Sequence, residues 1–216
     1  KDTIKNINIV IGCNIGCSYC YARMNNNRFH TIDDFNKPVF FENKLKMLDN
    51  KRHTAYLLTG QSDLSGWNEE WKDKVFSKMK ENENTQYIFL TKRPENIKLK
   101  ETPDNGCFGV TVTSSKEQTR IDYLRNNIKA KHYHITFEPM FDDVGKLDLN
   151  NISWIVIGTE TGNRKGKISS KREWVFNIYN QAKEKNIPVF MKEDLLGILN
   201  EDEFVQEFPK EFGGIK

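Results

Sequence analysis

Short apolar runs alternate with longer amphipathic stretches along this chain. The runs predict strands at about 6–11, 55–60, 86–91, 107–113, 132–138, 153–159 and 187–192. Helix-like spacing falls between them at about 38–50, 67–82, 115–130 and 171–186, the last stopping before Asn186-Ile187-Pro188. The stretch 142–151 fits neither pattern, and 194–208 reads as helical. Strand then helix, repeated, is the signature of right-handed parallel βαβ units. About seven such units in 216 residues are too few for a closed eight-stranded barrel. The predicted fold is α/β: a partial (βα) barrel of about six to seven parallel strands, forming one domain over 1–216. A doubly wound open sheet is the competing arrangement.

Strand parity bears on that choice. In 132–138, Tyr133, Ile135 and Phe137 share one face, and His134, Thr136 and Glu138 the other. In 107–113, Phe108, Val110 and Val112 oppose Gly109, Thr111 and Thr113. A buried parallel strand is ordinarily apolar on both faces. A polar face on two successive strands fits a lumen that holds a ligand, and otherwise an exposed sheet edge.

Composition narrows the class. Hydrophobic residues are 37% and charged residues 29% of the chain, which excludes disorder. A net charge of +3, from 33 basic and 30 acidic residues, does not by itself argue for nucleic acid or membrane. No run approaches the roughly 18 apolar residues of a membrane span, and Lys1-Asp2-Thr3-Ile4-Lys5 has no apolar signal core. A cytoplasmic location without membrane association is the expectation.

Three of the four cysteines fall within eight residues, as Cys13-Asn14-Ile15-Gly16-Cys17-Ser18-Tyr19-Cys20. This CxxxCxxC array directly follows the first predicted strand. Close thiolates in a reducing compartment suggest metal rather than disulfides, and three can take three corners of an iron–sulfur cube, leaving one iron open. Gly12 and Gly16 allow the backbone angles such a loop needs. A structural zinc would want a fourth ligand, for which His30 is the nearest histidine, at long spacing. Cys107 opens an apolar strand and reads as a small core residue.

With its aromatic Tyr19 before the last cysteine and its place after the first strand, the motif resembles the radical S-adenosylmethionine superfamily. Further segments resemble one small branch of it: Leu90-Thr91-Lys92-Arg93-Pro94-Glu95, Thr136-Phe137-Glu138-Pro139, Trp154–Gly162 and Ile187–Lys192. That branch holds phage-encoded proteins and the radical SAM mobile-pair proteins, of which the B type is similar over nearly the whole chain. The resemblance implies a radical SAM-like fold and a mobile-element setting. It also implies a [4Fe-4S] cluster on Cys13, Cys17 and Cys20, and S-adenosylmethionine chelated at the open iron. An external electron donor would drive cleavage to a 5'-deoxyadenosyl radical that abstracts hydrogen from substrate. One departure stands out. Where the superfamily has a Gly-Gly-Glu-like segment for the methionyl amine, this chain reads Thr59-Gly60-Gln61-Ser62-Asp63.

Barrel chemistry gathers at the C-terminal strand ends. Candidates there are Gly60, Gln61, Ser62 and Asp63 for the methionyl amine, and Lys92 with Arg93 for a carboxylate or phosphate. Thr113 and Ser114 are candidates for ribose hydroxyls, and Gly158 with Glu160 for room and contacts at an adenine. Glu138 and Lys192 are the catalytic candidates, with a purely structural ion pair as their alternative. Arg23 and Arg28 fall in a stretch that reads as a polar loop, and His30, His53 and His132 have no distinguishing context. Trp67 and Trp71, at i, i+4, read as packing residues. Lys92, Arg93, Arg23, Arg28 and Lys192 would make a basic rim suited to a nucleic acid or nucleotide substrate. A paired radical SAM protein is a candidate partner. A different class, an iron–sulfur binding or electron-transfer module without radical chemistry, is the competing function.

Overall fold

The structure is a computed structural model that describes residues 4–49 and 55–212. In chain order its strands are β1 (Ile4–Asn6), β2 (Val10–Ile11), β3 (Val39–Phe40), β4 (Ala55–Leu57), β5 (Gln86–Thr91), β6 (Gly106–Thr111), β7 (His132–Phe137), β8 (Trp154–Ile157) and β9 (Val189–Met191). The helices are α1 (Tyr21–Phe29), α2 (Glu69–Lys80), α3 (Thr119–Asn127) and α4 (Arg172–Glu184). Seven strands build one curled parallel sheet, a half-barrel in the order β1-β4-β5-β6-β7-β8-β9. β2 and β3 pair antiparallel outside it.

The two faces of the sheet follow strand parity. Phe89, Phe108, Val110, Ile135, Phe137 and Ile157 point outward and pack on Val75, Phe76 and Met79 of α2, Ile121 and Leu124 of α3, and Val175 and Ile178 of α4. Phe89 stacks on Phe108 at 4.8 Å, and Phe76 meets both edge-on at 5.8 and 5.9 Å. The expected polar face is on β6 and β7, which are central strands, so it lies in the lumen and not at an edge. The lumen has two layers. The lower is filled by Ala55, Ile88, Cys107 and Trp154, closed from below by Phe208 and Phe212. The upper, where Leu57, Leu90, Thr111 and Thr136 point, is open.

His134 belongs to the lower layer. It is 1% exposed, and its Nδ1 lies 3.4 Å from the Cys107 sulfur. Gly109 makes the space for it, since a Cβ there would fall 2.3 Å from the imidazole. Desolvation pushes the His134 pKa down to about 3. An unfolded chain takes up that proton below about pH 6.5, while the folded ring stays neutral. This group therefore costs stability as pH falls from about 6.5 toward 3, by ~1.4 kcal/mol per pH unit. Urea unfolding at pH 6.5 and 5 is expected to show a loss about 2 kcal/mol larger for the native protein than for His134→Leu. Equal losses would place the acid sensitivity elsewhere.

Four expectations need correction. The single strand at 6–11 is two: the chain leaves the sheet after Asn6, and β2 turns to β3, whose neighbour Phe41 donates to the Ile9 carbonyl at 2.8 Å. The helix at 38–50 is β3 followed by a 3₁₀ run over Glu42–Asp49, in which Leu45 and Leu48 repeat every three residues toward the core. Residues 194–208 are not a helix. They form short 3₁₀ turns and then a strip beside β9, with Met191 donating to Val205 and Glu207 to Val189, both at 2.8 Å. That strip covers the sheet edge. The polar stretch after the cysteines is helix α1. Cys20 caps its N-terminus, and buried Asn26 donates to the Ile32 carbonyl and accepts from its N–H, each at 3.0 Å. His53 lies outside the described residues. Among the described residues, no helix is long and apolar enough to cross a membrane.

Candidate active site

The cysteine loop runs from β2 to α1 and is fastened at both ends. Gly12 has φ 114°, and a Cβ there would come within 2.9 Å of the Pro38 backbone, so only glycine fits. Its N–H donates to the Gln61 carbonyl at 3.0 Å, which ties the loop to the chain leaving β4. The Cys13 N–H donates to Phe35 O at 2.7 Å. Arg23 lies 5.0 Å over the Phe35 ring and donates to the Cys13 carbonyl at 2.7 Å. The Cys20 sulfur accepts the Arg23 N–H at 3.4 Å and so caps the N-terminus of α1.

A cavity of about 600 Å³ opens at this end of the half-barrel. Cys13, Cys17, Cys20, Tyr19, Gly60, Gln61, Ser62, Asp63, Lys92, Glu138, Glu160 and Lys192 all line it, so most of the residues picked from the sequence share one space. The three cysteines are free thiols. Burial pushes the Cys13 thiol up to about 11, so binding a metal there must displace a tightly held proton. Among the described residues no three His, Cys, Asp or Glu side chains converge on a point that could hold a single metal ion. Cys107, in the lower layer, is not among the lining residues.

The loop after β4 divides its labour. Asp63 is buried, and its Oδ1 accepts from Ser65 N at 2.9 Å, Ser65 Oγ at 2.7 Å and Thr91 Oγ1 at 2.7 Å. Its Oδ2 accepts from Lys92 N at 2.8 Å. This carboxylate holds the β4 and β5 ends together. Ser62 Oγ accepts the indole N–H of Trp67 at 3.0 Å, and Trp67 packs edge-on against Phe89. Gln61 alone of the three keeps its side chain uncommitted among the described residues.

Across the cavity, Lys192 Nζ donates to Glu138 Oε1 and lies 3.8 Å from Asp194 Oδ2. Burial pushes the Asp194 carboxyl up, opposed by the Thr159 N–H it accepts and by Lys192. Gly158 does not line the cavity. A Cβ there would sit 3.0 Å from Lys192 Cδ and 3.2 Å from Glu138, so this glycine makes room for the ion pair and not for an adenine. Glu160 is buried in the wall, where hydrogen bonds from Arg164, one at 2.8 Å to Oε2, hold its carboxyl below the usual range.

Thr113 and Ser114 also fall outside the cavity. β6 stops at Thr111, and the chain turns toward α3, where Thr113 N and Oγ1 donate to Glu117 Oε2 at 2.7 and 2.8 Å. Arg93 leaves the wall as well, opening a 3₁₀ turn at Pro94–Asn96. Exposed His30 is the left-handed C-cap of α1, φ 48°.

Sequence reasoning missed Tyr21, whose hydroxyl donates to the Gly60 carbonyl at 2.6 Å and bridges the cysteine loop to β4. It also missed Asn6, Thr59, Thr111 and Thr136 of the cavity wall. The period-2 pattern contained the last two, on the polar faces of β6 and β7. Tyr19 packs edge-on against Phe141 at 5.4 Å beneath the Lys92 ammonium, 5.7 Å from its ring. Burial, then the adjacent Cys17 sulfur, hold the Tyr19 hydroxyl well above its ordinary range.

No curated protein matches the chain in sequence. Residues 2–213 match the family described as "Protein of unknown function (DUF5131)", and the chain belongs to that family.

Proposed function

We propose that this protein is a cytoplasmic radical S-adenosylmethionine enzyme acting on a nucleic acid or nucleotide, with an external electron donor. The observation that supports this most is that all three thiols of one CxxxCxxC loop line the cavity at the open end of a parallel half-barrel. Cys13, Cys17 and Cys20 would hold a [4Fe-4S] cluster, and no fourth cysteine lines the cavity. When bound, that cluster supplies an electron for the cleavage of S-adenosylmethionine to a 5'-deoxyadenosyl radical.

The chain's own part is to bind, orient and exclude water. Arg23 fixes the Cys13 carbonyl, and Tyr21 and Gly12 lock the cysteine loop onto the β4 end. With Ser62 and Asp63 occupied by their own donors, Gln61 is the acceptor left for the methionyl amine, in place of the acid other radical SAM sequences use. Lys92 is the cation for the carboxylate. Thr111 and Thr136 give the floor hydroxyls. Lys192 donates to Glu138 at the cavity wall, and this pair is the candidate for general acid–base contact with a substrate bound there.

One observation favours the competing reading, an iron–sulfur electron-transfer module: the loop after β4 has no free carboxylate for the amine. Two measurements separate the readings. Anaerobic reconstitution should give one cube's worth of iron and sulfide per chain, with a reduced-cluster electron paramagnetic resonance signal that changes when S-adenosylmethionine is added. An electron-transfer module gives the signal without the change. Lys92→Met is expected to weaken S-adenosylmethionine binding to the reconstituted protein by roughly tenfold in titration calorimetry. An unchanged affinity would remove Lys92 from the site.

A further inference from the structure

The loop from Thr161 to Lys171 leaves the cavity wall and carries four cations and no acid. It is shaped from inside. Gly162 and Gly166 turn it at φ +79° and +75°. Arg164 donates to both Glu160 oxygens and to the Lys165 and Gly166 carbonyls at 3.2 and 3.1 Å, and Ser170 N donates to Thr159 Oγ1 at 3.1 Å. Arg164 thus neutralises the carboxylate of the wall, and Lys192 does the same for Glu138. The other lysines here are not drawn into ion pairs, although Lys167 lies near enough to Glu160 and Asp194 to act on both carboxyls. Lys165 is exposed, Lys167 reaches only the Gly162 carbonyl at 3.3 Å, and Lys92 faces the Tyr19 ring. Among the described residues none of these three has a carboxylate at ion-pair distance.

The opposite rim is apolar and aromatic. Tyr21 and Met24, at i, i+3 on α1, both line the cavity and are each 52% exposed. Phe29, at the end of the same helix, is 65% exposed, with the Arg28 guanidinium 5.1 Å from its ring. Tyr21 and Met24, exposed side by side at the cavity rim, mark a binding surface.

We infer that this mouth grips a single-stranded nucleic acid. Lys165 and Lys167 take the phosphates, Tyr21 and Met24 stack against bases, and one base is presented to the cavity. Flat apolar faces opposite lysines outside ion pairs suit unpaired bases on a phosphate backbone. A duplex keeps its base faces inside the stack, and a phosphopeptide has no use for two stacking groups. The inference rests on the proposed enzyme only for what is done to the strand, not for its binding.

The test is fluorescence anisotropy of a labelled strand of about 12 nucleotides, of mixed sequence, against the same sequence as duplex, using the full chain without S-adenosylmethionine. Single strands are expected to bind more tightly than duplex. Log K should fall with log salt at a slope of about −1.4, the value for two phosphates. Lys165→Glu with Lys167→Glu should weaken binding at least tenfold and flatten the slope. Met24→Ala should weaken it severalfold at unchanged slope. All these residues are exposed, so thermal midpoints should hold and report that the variants fold. Absence of single-strand binding at low salt, tighter duplex binding, or affinity unmoved by the double variant would overturn the inference. 5'-Deoxyadenosine is measured on portions of the same preparations reconstituted with iron and sulfide and given S-adenosylmethionine and a strong reductant. Cofactor cleavage without strand binding removes this inference and leaves the proposed chemistry; strand binding without cleavage does the reverse.

Discussion

Cys17→Ala is expected to abolish cluster assembly and all S-adenosylmethionine cleavage while leaving the fold intact. The Cys17 side chain lines the cavity, and the loop's backbone fastenings do not depend on it: Gly12 on Gln61, Cys13 on Phe35, and Cys20 on the Cys17 carbonyl at 3.2 Å. Losing one of three corner ligands should cut iron retained after desalting by at least tenfold, since even supporting residues around metal sites change affinity 10–100-fold. Cys107→Ala is the control with the opposite profile. Cys107 is 1% exposed beside His134, so its loss should cost about 1–2 kcal/mol of stability and leave iron content unchanged. Iron counting and urea unfolding on the two variants give a crossed result. Iron bound equally by native protein and Cys17→Ala would remove Cys17 from the cluster.

Asp63→Ala is expected to be the most destabilising of the substitutions at the mouth, by about 3–5 kcal/mol. The Asp63 carboxylate is 7% exposed and accepts four hydrogen bonds that join the β4 loop to the end of β5. Removing it strands two backbone N–H groups and two hydroxyls in a buried space, each costing roughly 1–3 kcal/mol before relaxation. Asp63→Asn separates charge from acceptor count. Its carbonyl oxygen can keep Ser65 and Thr91, but its amide meets the Lys92 N–H donor to donor, so the loss should be about half as large. Urea unfolding checks both. A change below about 1 kcal/mol in Asp63→Ala would mean that the β4 loop is held by other contacts.

The legible parts of the fold were those where one physical signal dominated. β5, β6 and β7 are six residues each, so their positions could be read, and the alternation of β6 and β7 also gave their faces. The cysteine motif carried its own site. What failed depended on contacts distant in sequence. Ile7-Asn8-Ile9-Val10-Ile11 is equally apolar whether it continues one strand or turns to meet Val39 and Phe40. Asn25-Asn26-Asn27 is a poor helix former, and nothing local announces that Asn26 will bond both backbone groups of Ile32. The segment 200–203 has a helix-start signature, since Asn200 and Glu203 form a capping box, yet the turn stops after Glu203 and the chain runs on beside β9. Gly158 was legible as needed space, but the occupant is the Glu138–Lys192 pair, fifty-four positions apart in sequence. Gln61, Ser62 and Asp63 were equivalent acceptors on paper. Their hydrogen bonds to Trp67, Ser65, Thr91 and Lys92 distinguish them.

One cavity joins three kinds of group: thiols from a single loop, the Glu138–Lys192 pair, and Lys92. The central claim is that the thiols serve reductive cleavage of a sulfonium cofactor. The direct measurement is mass spectrometry for 5'-deoxyadenosine after anaerobic reconstitution with iron and sulfide, addition of S-adenosylmethionine, and reduction with a strong low-potential reductant, with Cys17→Ala alongside. The account predicts the nucleoside in the native sample and none in the variant. A fully assembled, reduced cluster in the presence of S-adenosylmethionine with no 5'-deoxyadenosine formed would contradict it and leave the electron-transfer reading in its place.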